Sequence, residues 1–511
     1  MLSVGDGGKK TGEWSKIAGL KSKLTRPDRY IIRNFATYHD EFILMKPNSK
    51  QQLTLLSTDE NLWSKMRRMF SLTLLLMLCL SIEAKPKQQL WPDGTQIDAW
   101  FADTSYVDVT SLGKRYVVTE YGVKSDSTIV QTKALQAVID RCAQEGGGVI
   151  VIPRGTFLSG SLFFKQGTNL LVEEGGKLKG SDRVENFAIK ETRIEGETCK
   201  YFTALVNVDN FDGFVIAGPG TIDGNGYHYW RQFWIRREWN RACTNKDEQR
   251  PRLVYISNSK NVTVQNVKLM NSPFWTNHLY KSERVKYLNC FIYSSTEGVK
   301  GPSTDAIDID VCHDVLIHGC YMNVNDDAIA MKGGKGTFAD KDPNNGPNAN
   351  VIIQNCHYGR VHGCLTLGSE SLKDHNIILR DIVCDDVNRV LWLKMRPDTP
   401  QHYEYVTVEN ITGKTNSFLV IRPWTQFYNK QEREDMTLSQ GNNIVMRNIN
   451  MTCRNFFDVG TSDKYALKDF TFENIDVQDK KNAFNPEVIE NTSVKNVVIN
   501  GVKQKNTPKK K

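Results

Sequence analysis

The sequence predicts an all-β solenoid, a parallel β-helix closed at its N-terminal end by an amphipathic helix. Three observations predict it. A strand-like heptad returns nine times between residues 261 and 502, each return alternates apolar and polar residues, and each ends in Asn, Asp or Gly before one more apolar residue. The copies start at Asn261 (NVTVQNV), Arg284 (RVKYLNC), Asp314 (DVLIHGC), Asn350 (NVIIQNC), Asn376 (NIILRDI), Tyr405 (YVTVENI), Asn443 (NIVMRNI), Asp469 (DFTFENI) and Asn496 (NVVINGV). Alternation with period two marks a strand with one buried face. A single copy cannot bury that face alone, whereas stacked copies share a continuous core.

The elements follow in chain order. Residues Lys65 to Pro86 place basic residues ahead of the apolar run Phe70 to Ser81 and a small residue, Ala84. This is the layout of a secretory signal peptide, expected at residues 66–84, and the run is too short to span a membrane. The expected location is secreted or periplasmic, without stable membrane insertion. Residues 1–65 show no repeat and no sustained apolar face, and are read as an over-extended frame with translation starting at Met66 or Met69; the alternative is a basic arm. Residues 85–511 form the expected solenoid domain, with a short leading segment at 85–112 packing on its side and a basic tail at 503–511.

Between Ser125 and Gly148, Leu135, Val138, Ile139 and Cys142 recur at helical spacing and three glycines follow, so a capping helix is expected from Val130 to Gln144. The run GVIVIPRGTFLSGSLFFK supplies the first short strands. Cys290, Cys320 and Cys356 share the heptad slot of Val267, Ile382, Ile411 and Ile449, which makes them small buried hydrophobes of one ladder. No C-x-x-C pair or Cys/His spacing for zinc occurs, and no cofactor or metal is expected. The chain carries a formal charge of +8, but with the first 84 residues set aside the basic and acidic residues nearly balance, and the remaining excess sits in the terminal KQKNTPKKK. That distribution gives no nucleic-acid surface.

The chemistry is concentrated in STDAIDIDVCHDVLIHGCYMNVNDDAIAMK. Asp305 and the pair Asp326–Asp327 stand about one compact coil apart in sequence, so stacking puts them side by side on one outer face, about 4.8 Å apart along the axis. Ile307 and Ile309 face the core, Asp308 and Asp310 point outward, and Asp305 sits in the preceding turn. Clustered carboxylates repel one another, which raises at least one pKa as a general acid requires. The competing reading is that of solvated turn aspartates, which holds some ground for Asp308 and Asp310; for the Asp–Asp pair one coil from a third Asp, function is favoured.

The order STD (Asp305), NDD (Asp326, Asp327), VHG (His362) and WLK (Lys394), with LTLGSE after VHG and the capping helix with EGGGVIVIPRGTFLSGSLFFK at the N-terminal end, resembles the polygalacturonase family, glycoside hydrolase family 28, over residues 115–502. The resemblance implies a right-handed β-helix that hydrolyses α-linked galacturonic acid of the acidic plant cell-wall polysaccharide pectin, with inversion and without a metal. It implies that Asp326 is the general acid, that Asp305 and Asp327 hold and deprotonate the attacking water, that His362 tunes the acid, and that Lys394 meets a substrate carboxylate. Inversion calls for carboxyls roughly 6.5–9.5 Å apart. Two signatures depart from the family: Ser303 stands for Asn, and Trp392 for Arg. Arg396 or Arg422 could replace the missing cation, Trp392 and Trp424 could stack on sugars, and Asp308 is counted with the substrate-facing groups. Long segments from Gly224 and Gly333 are expected to wall one end of the groove, giving an exo-acting enzyme. The alternatives are a hydrolase of rhamnogalacturonan or another substituted galacturonan, a calcium-dependent pectate-type lyase, and a non-catalytic carbohydrate-binding solenoid.

Overall fold

The computed structural model describes residues 89–508, apart from 296, 427, 429, 430 and 432. The expected extension at 1–65 and signal peptide at 66–84 lie outside them. No helix among the described residues is long and apolar enough to cross a membrane.

Among the described residues, alternating sequence becomes one 30-stranded sheet wound into coils, in which strands pair in parallel with their counterparts one coil on, apart from the final Val502–Lys503, which turns back antiparallel on Ser493–Ile499. The coil is right-handed, the sense that parallel crossovers almost always take. Early coils carry three short strands each, as in Val254–Ser257, Lys260–Gln265 and Lys268–Met270. Later coils merge them into runs such as Lys373–Met395 and His402–Pro423.

Register explains the heptads. Val262 pairs with Val285, Val285 with Val315, Val315 with Val351, Val351 with Ile377 and Ile377 with Val406, so the second heptad position is one continuous internal column. The first and sixth residues of each copy are left-handed, for example Asn443 (φ 53°) and Asn448 (φ 56°). Asn, Asp and Gly tolerate that conformation best, which is why they end the copies. The asparagines also form an external ladder: Asn448 donates to Asn410 at 2.9 Å, and Asn496 to Asn474 at 3.0 Å.

Two copies need correction. Asn496 pairs alongside Asn474, so the ninth copy is NTSVKNV from Asn491, five residues earlier than expected. Both Asn491 and Asn496 are left-handed, and either could open a heptad by sequence alone. An upstream copy, GFVIAGP from Gly213 (φ 86°), pairs Phe214 with Val262. It escapes the pattern because glycine replaces asparagine and a helical insertion stretches its coil.

Helix α1, Thr132–Gln144, buries Leu135, Val138, Ile139 and Cys142 over the first coils, two residues shorter at its start than expected. Cys290, Cys320 and Cys356 are buried at the seventh heptad position, inside the coil, and the ten described cysteines form no disulfide. The leading segment lies lengthwise on the outside. Trp91 and Phe101 cover Leu288, Leu316, Ile352 and Ile378, while Val107, Val109 and Leu112 cover Val149, Val151 and Val215.

Candidate active site

Four consecutive rungs form the floor of the site: β1 (Ile307–Asp310), β2 (Ile329–Lys332), β3 (Leu365–Leu367) and β4 (Lys373–Met395). Ile307, Ile329, Leu365 and Leu391 stack inward, and the outward column beside them runs Asp308, Ala330, Thr366, Trp392. Asp305 and Asp327 each precede their strand by two residues, so stacking places them in the same slot one rung apart. Ala306 N donates to Asp327 O at 2.9 Å to hold that register. Asp326 precedes Asp327 and is matched on the next coil by His362, whose backbone N donates to Asp326 O at 2.9 Å. One oxygen from each of Asp305, Asp326 and Asp327 lies within 4.8 Å of the others. The slot of Asp327 is filled on the next rung by Gly363, where a Cβ would come within 2.9 Å of Asp327 Oδ1.

These carboxylates line a cleft of about 440 Å³ together with His362, Trp392, Lys394 and Arg396. His362 Nδ1 lies 3.3 Å from Asp326 Oδ1, and Lys394 Nζ lies 2.8 Å from Asp327 Oδ2. Burial pushes Asp305 well above the usual carboxylate range, with the charges of Asp308 and Asp326 adding to it. Burial also pushes Asp326 up, but the hydrogen bond and charge of His362, helped by Lys394 and Lys332, outweigh it and bring Asp326 below its ordinary value. The same hydrogen bond raises His362. The raised acid of the cluster in the unliganded protein is therefore Asp305, with the proton one rung away from Asp326.

Three expectations change. Asp308 and Asp310 point out of the coil but are fully buried beneath further segments, not solvated. Asp310 takes Arg193 at 3.2 Å and His278 at 3.4 Å, while Asp308 lies 3.5 Å from Lys332 Nζ, beneath the cleft and not lining it. Arg422 stacks on Lys394 one coil on, yet it pairs with Asp458, half-exposed and outside the cleft. Arg396 does line the cleft, but Asp398 holds it through two bonds of 2.7 Å each. Trp392 is only 8% exposed, with Arg389 at 3.8 Å and Lys394 at 4.2 Å over its ring and Trp424 meeting it edge-on. Trp424 presents the more accessible ring of the two.

Lys332 is the central group that motif reading missed. Its Nζ stands 3.2 Å from Glu370, 3.5 Å from Asp308 and 3.9 Å from Asp305. Burial would lower it, but those carboxylates hold it well above its ordinary value. The alternation in AIAMK carries the signal, because Ile329 and Met331 face inward and Lys332 must face the site. Lys332 Nζ, 3.9 Å from Asp305, and Lys394 Nζ, 2.8 Å from Asp327, bring two positive charges to the edge of the three aspartates, whose oxygens lie close enough together to hold a cation.

The walls come from insertions. Helix α2, Tyr227–Trp239, contributes Phe233, Trp234 and Arg237 to the cleft. The hairpin Ile189–Ile194/Glu197–Phe202 meets the segment after Lys332: Lys335 lies 3.8 Å from Glu195 and 3.4 Å from Glu197, and Gly196 packs so closely on Gly334 that a Cβ would reach within 3.1 Å of its Cα.

Solved structures share this coil. An exopolygalacturonase from Thermotoga maritima superposes with a TM-score of 0.61 at 21% identity, covering 77% of this chain and 93% of that one. A polygalacturonase from Erwinia carotovora superposes at 0.54 and 20% identity, covering 76% and 96%. Among curated proteins, an endo-polygalacturonase of Pectobacterium carotovorum is 27% identical over 288 residues, 53% of this chain and 66% of its own. An exo-poly-alpha-D-galacturonosidase of Dickeya chrysanthemi is 23% identical over 352 residues, 58% and 55%. The chain thus spans between about half and two thirds of these relatives. The family model for glycosyl hydrolases family 28 matches residues 142–482, a stretch that runs from the end of α1 through every residue of the carboxylate cluster. The chain belongs to glycosyl hydrolases family 28.

Proposed function

We propose that the protein is a secreted glycosidase that hydrolyses α-linked galacturonic acid in pectin-derived poly- or oligosaccharides from a chain end, with inversion. The observation that carries this reading is the set of three carboxylates within 4.8 Å, with His362 on Asp326 and Lys394 on Asp327. Asp326 gives its proton to the glycosidic oxygen as that bond breaks. Asp305 and Asp327 orient a water on the other side of the anomeric carbon, and one of them takes the water's proton as the new C–O bond forms. The step leaves Asp326 anionic and the base protonated. A proton passed from the base to Asp326 resets the site, and because Asp305 is the raised acid of the unliganded cluster and Asp326 is lowered, that transfer to Asp326 has to precede each cut.

End-wise action is supported by the hairpin and α2, which raise walls beside the cluster. Curated relatives include both endo- and exo-acting proteins, so the mode is tested directly. Viscosity of polygalacturonate that falls slowly against the release of reducing ends supports exo action, and an early collapse of viscosity overturns it. Secretion is supported by the basic–apolar–small layout at 66–84. Mass spectrometry of the native protein that finds peptides from residues 1–65 overturns both the cleavage and the start at Met66 or Met69.

A second reading is favoured by one distance. Carboxyl oxygens within 4.8 Å fall short of the roughly 6.5–9.5 Å associated with inversion and lie nearer the roughly 5–5.5 Å of retaining enzymes. Proton NMR during digestion separates the two: the β-anomer of galacturonate appearing first establishes inversion, the α-anomer establishes retention, and vinylic signals assign a lyase.

A further inference from the structure

The outward column of the floor extends upstream of the cleft. It runs Phe163, Asn207, Tyr255, His278, Asp308, Ala330, Thr366 and Trp392, one residue per coil. The hairpin Ile189–Ile194/Glu197–Phe202 divides it, and His278 and Asp308 are fully buried at the divide. Glu195, in the hairpin's turn, lines the cleft. The stretch Lys190 to Arg193, in its first strand, lines a second cavity of about 260 Å³, floored by Phe163, Asn207 and Tyr255. This second cavity is oppositely charged at its back and its rim. At the back, two buried guanidiniums, Arg193 and Arg252, stand against one buried carboxylate, Asp310. Arg193 Nε donates to Asp310 Oδ2 at 3.2 Å, and the Arg252 guanidinium lies 3.9 Å from the centre of the Tyr255 ring. Burial holds His278, which stands between Arg252 and Asp310, down at about 4, so its imidazole adds no charge at neutral pH. Arg193 is 1% exposed, yet its Nη1 meets no acceptor among the described residues. At the rim, Asp209 and Glu191 are exposed carboxylates, and Lys190 is drawn over the ring of Phe163 at 3.9 Å.

We infer that this cavity is a second ligand site, separate from the cleft, which takes a single sugar ring bearing a carboxylate: the carboxylate on Arg193, the ring against Tyr255, and hydroxyls toward Asp209 and Glu191. A buried charged donor without an acceptor is costly, and a ligand carboxylate removes that cost. A bare small anion would answer Arg193 but leave the rim carboxylates without donors. An uncharged sugar would answer the rim but not the guanidinium. A carboxylated sugar satisfies both ends and lays its apolar face on an aromatic ring. The volume falls just below the roughly 300–1,000 Å³ of ordinary small-molecule sites, which admits one ring and no chain. The inference goes beyond the hydrolase reading and does not depend on any bond being cut. Arg193 and Glu195 belong to one hairpin, so a ligand held on Arg193 braces the wall of the cleft from behind.

The test titrates galacturonate into the full-length protein by calorimetry, with galactose and acetate as probes that each lack one end of it, and repeats the titrations on R193Q, Y255A and D209A. The unsubstituted protein should show a galacturonate-binding event that R193Q and Y255A weaken about tenfold or more and D209A weakens less, with galactose and acetate bound at least tenfold more weakly there. Asp209 is exposed and Tyr255 half-buried, so D209A and Y255A keep the test open if R193Q fails to fold. In Y255A and D209A, kcat/KM on polygalacturonate should stay within about twofold, because neither residue touches the cleft. Galacturonate isotherms of Y255A and D209A that superimpose on the unsubstituted one overturn the site. Galactose binding there as tightly as galacturonate overturns the carboxylate, and acetate doing so overturns the sugar. If the variants weaken binding as stated while no form of the protein cuts polygalacturonate, the second site stands and the hydrolase reading falls.

Discussion

Asp305 and Asp327 occupy the same slot on successive coils, each two residues ahead of its strand, with Ala306 N bonded to Asp327 O at 2.9 Å between them. The solenoid sets the spacing of these two carboxylates, and no loop need fold to create it. Substituting either leaves the coil intact while removing a reacting group. Asp326→Asn, Asp305→Asn and Asp327→Asn should each lower kcat by about 10²- to 10⁴-fold with little change in melting temperature. Initial rates and thermal melts on the three variants check this.

His362 holds Asp326 below its ordinary pKa, and Asp326 in turn raises His362. Removing the imidazole lets Asp326 keep its proton to higher pH. The alkaline limb of the kcat/KM profile, where the general acid loses its proton, should therefore move upward in His362→Gln, and a limb that stays put would show that His362 does not act through Asp326.

Gly363 leaves the room that Asp327 uses. A Cβ there would fall 2.9 Å from Asp327 Oδ1 and 2.2 Å from Thr366 Oγ1, both ends of side chains that can turn away. Gly363→Ala should thus reduce activity by at least tenfold while costing about 1–3 kcal/mol of stability, the usual range for overpacking. Comparing rates with denaturant melts separates the two effects.

Asp374 is fully buried, and burial pushes it up to about 7 despite hydrogen bonds from Asn348 and Ser371. An unfolded aspartate releases its proton near pH 4, so between there and 7 the folded chain binds the extra proton and stability falls as pH rises. Asp374→Asn should flatten that slope, as read from melting temperatures between pH 4 and 8.

Asn448 sits at φ 56° within the external asparagine ladder. Asn448→Ala should cost about 1–2 kcal/mol through the left-handed backbone alone, and Asn448→Gly less, because glycine adopts that conformation without strain. Denaturant midpoints of the pair test this.

The solenoid was legible because strand alternation and left-handed Asn positions are local properties, repeated nine times. The same locality misplaced the ninth copy, since Asn491 and Asn496 are equivalent until pairing with Asp469 or Asn474 chooses between them. Asp305, Asp326, Asp327, His362 and Lys394 could be found because stacking turns sequence intervals into neighbours. The cations could not be sorted in this way. What decides whether Arg422 or Lys332 is available is a carboxylate on another coil, Asp458 or Glu370, and heptads carry no information about partners that lie 36 or 38 residues away; Arg396 is engaged by Asp398 two residues on, outside any heptad.

The leading segment bears on how the molecule comes apart. Repeat arrays hold each unit only through its immediate neighbours, so they can fray from an end. Here one ribbon, from Trp91 to Leu112, grips coils as far apart as Val149 and Ile378, and Lys286 fastens to Asp103 midway at 3.0 Å. It works as a splint: no coil beneath it can loosen without peeling the strip from the others, which turns a stack of separable turns into a body that melts as one.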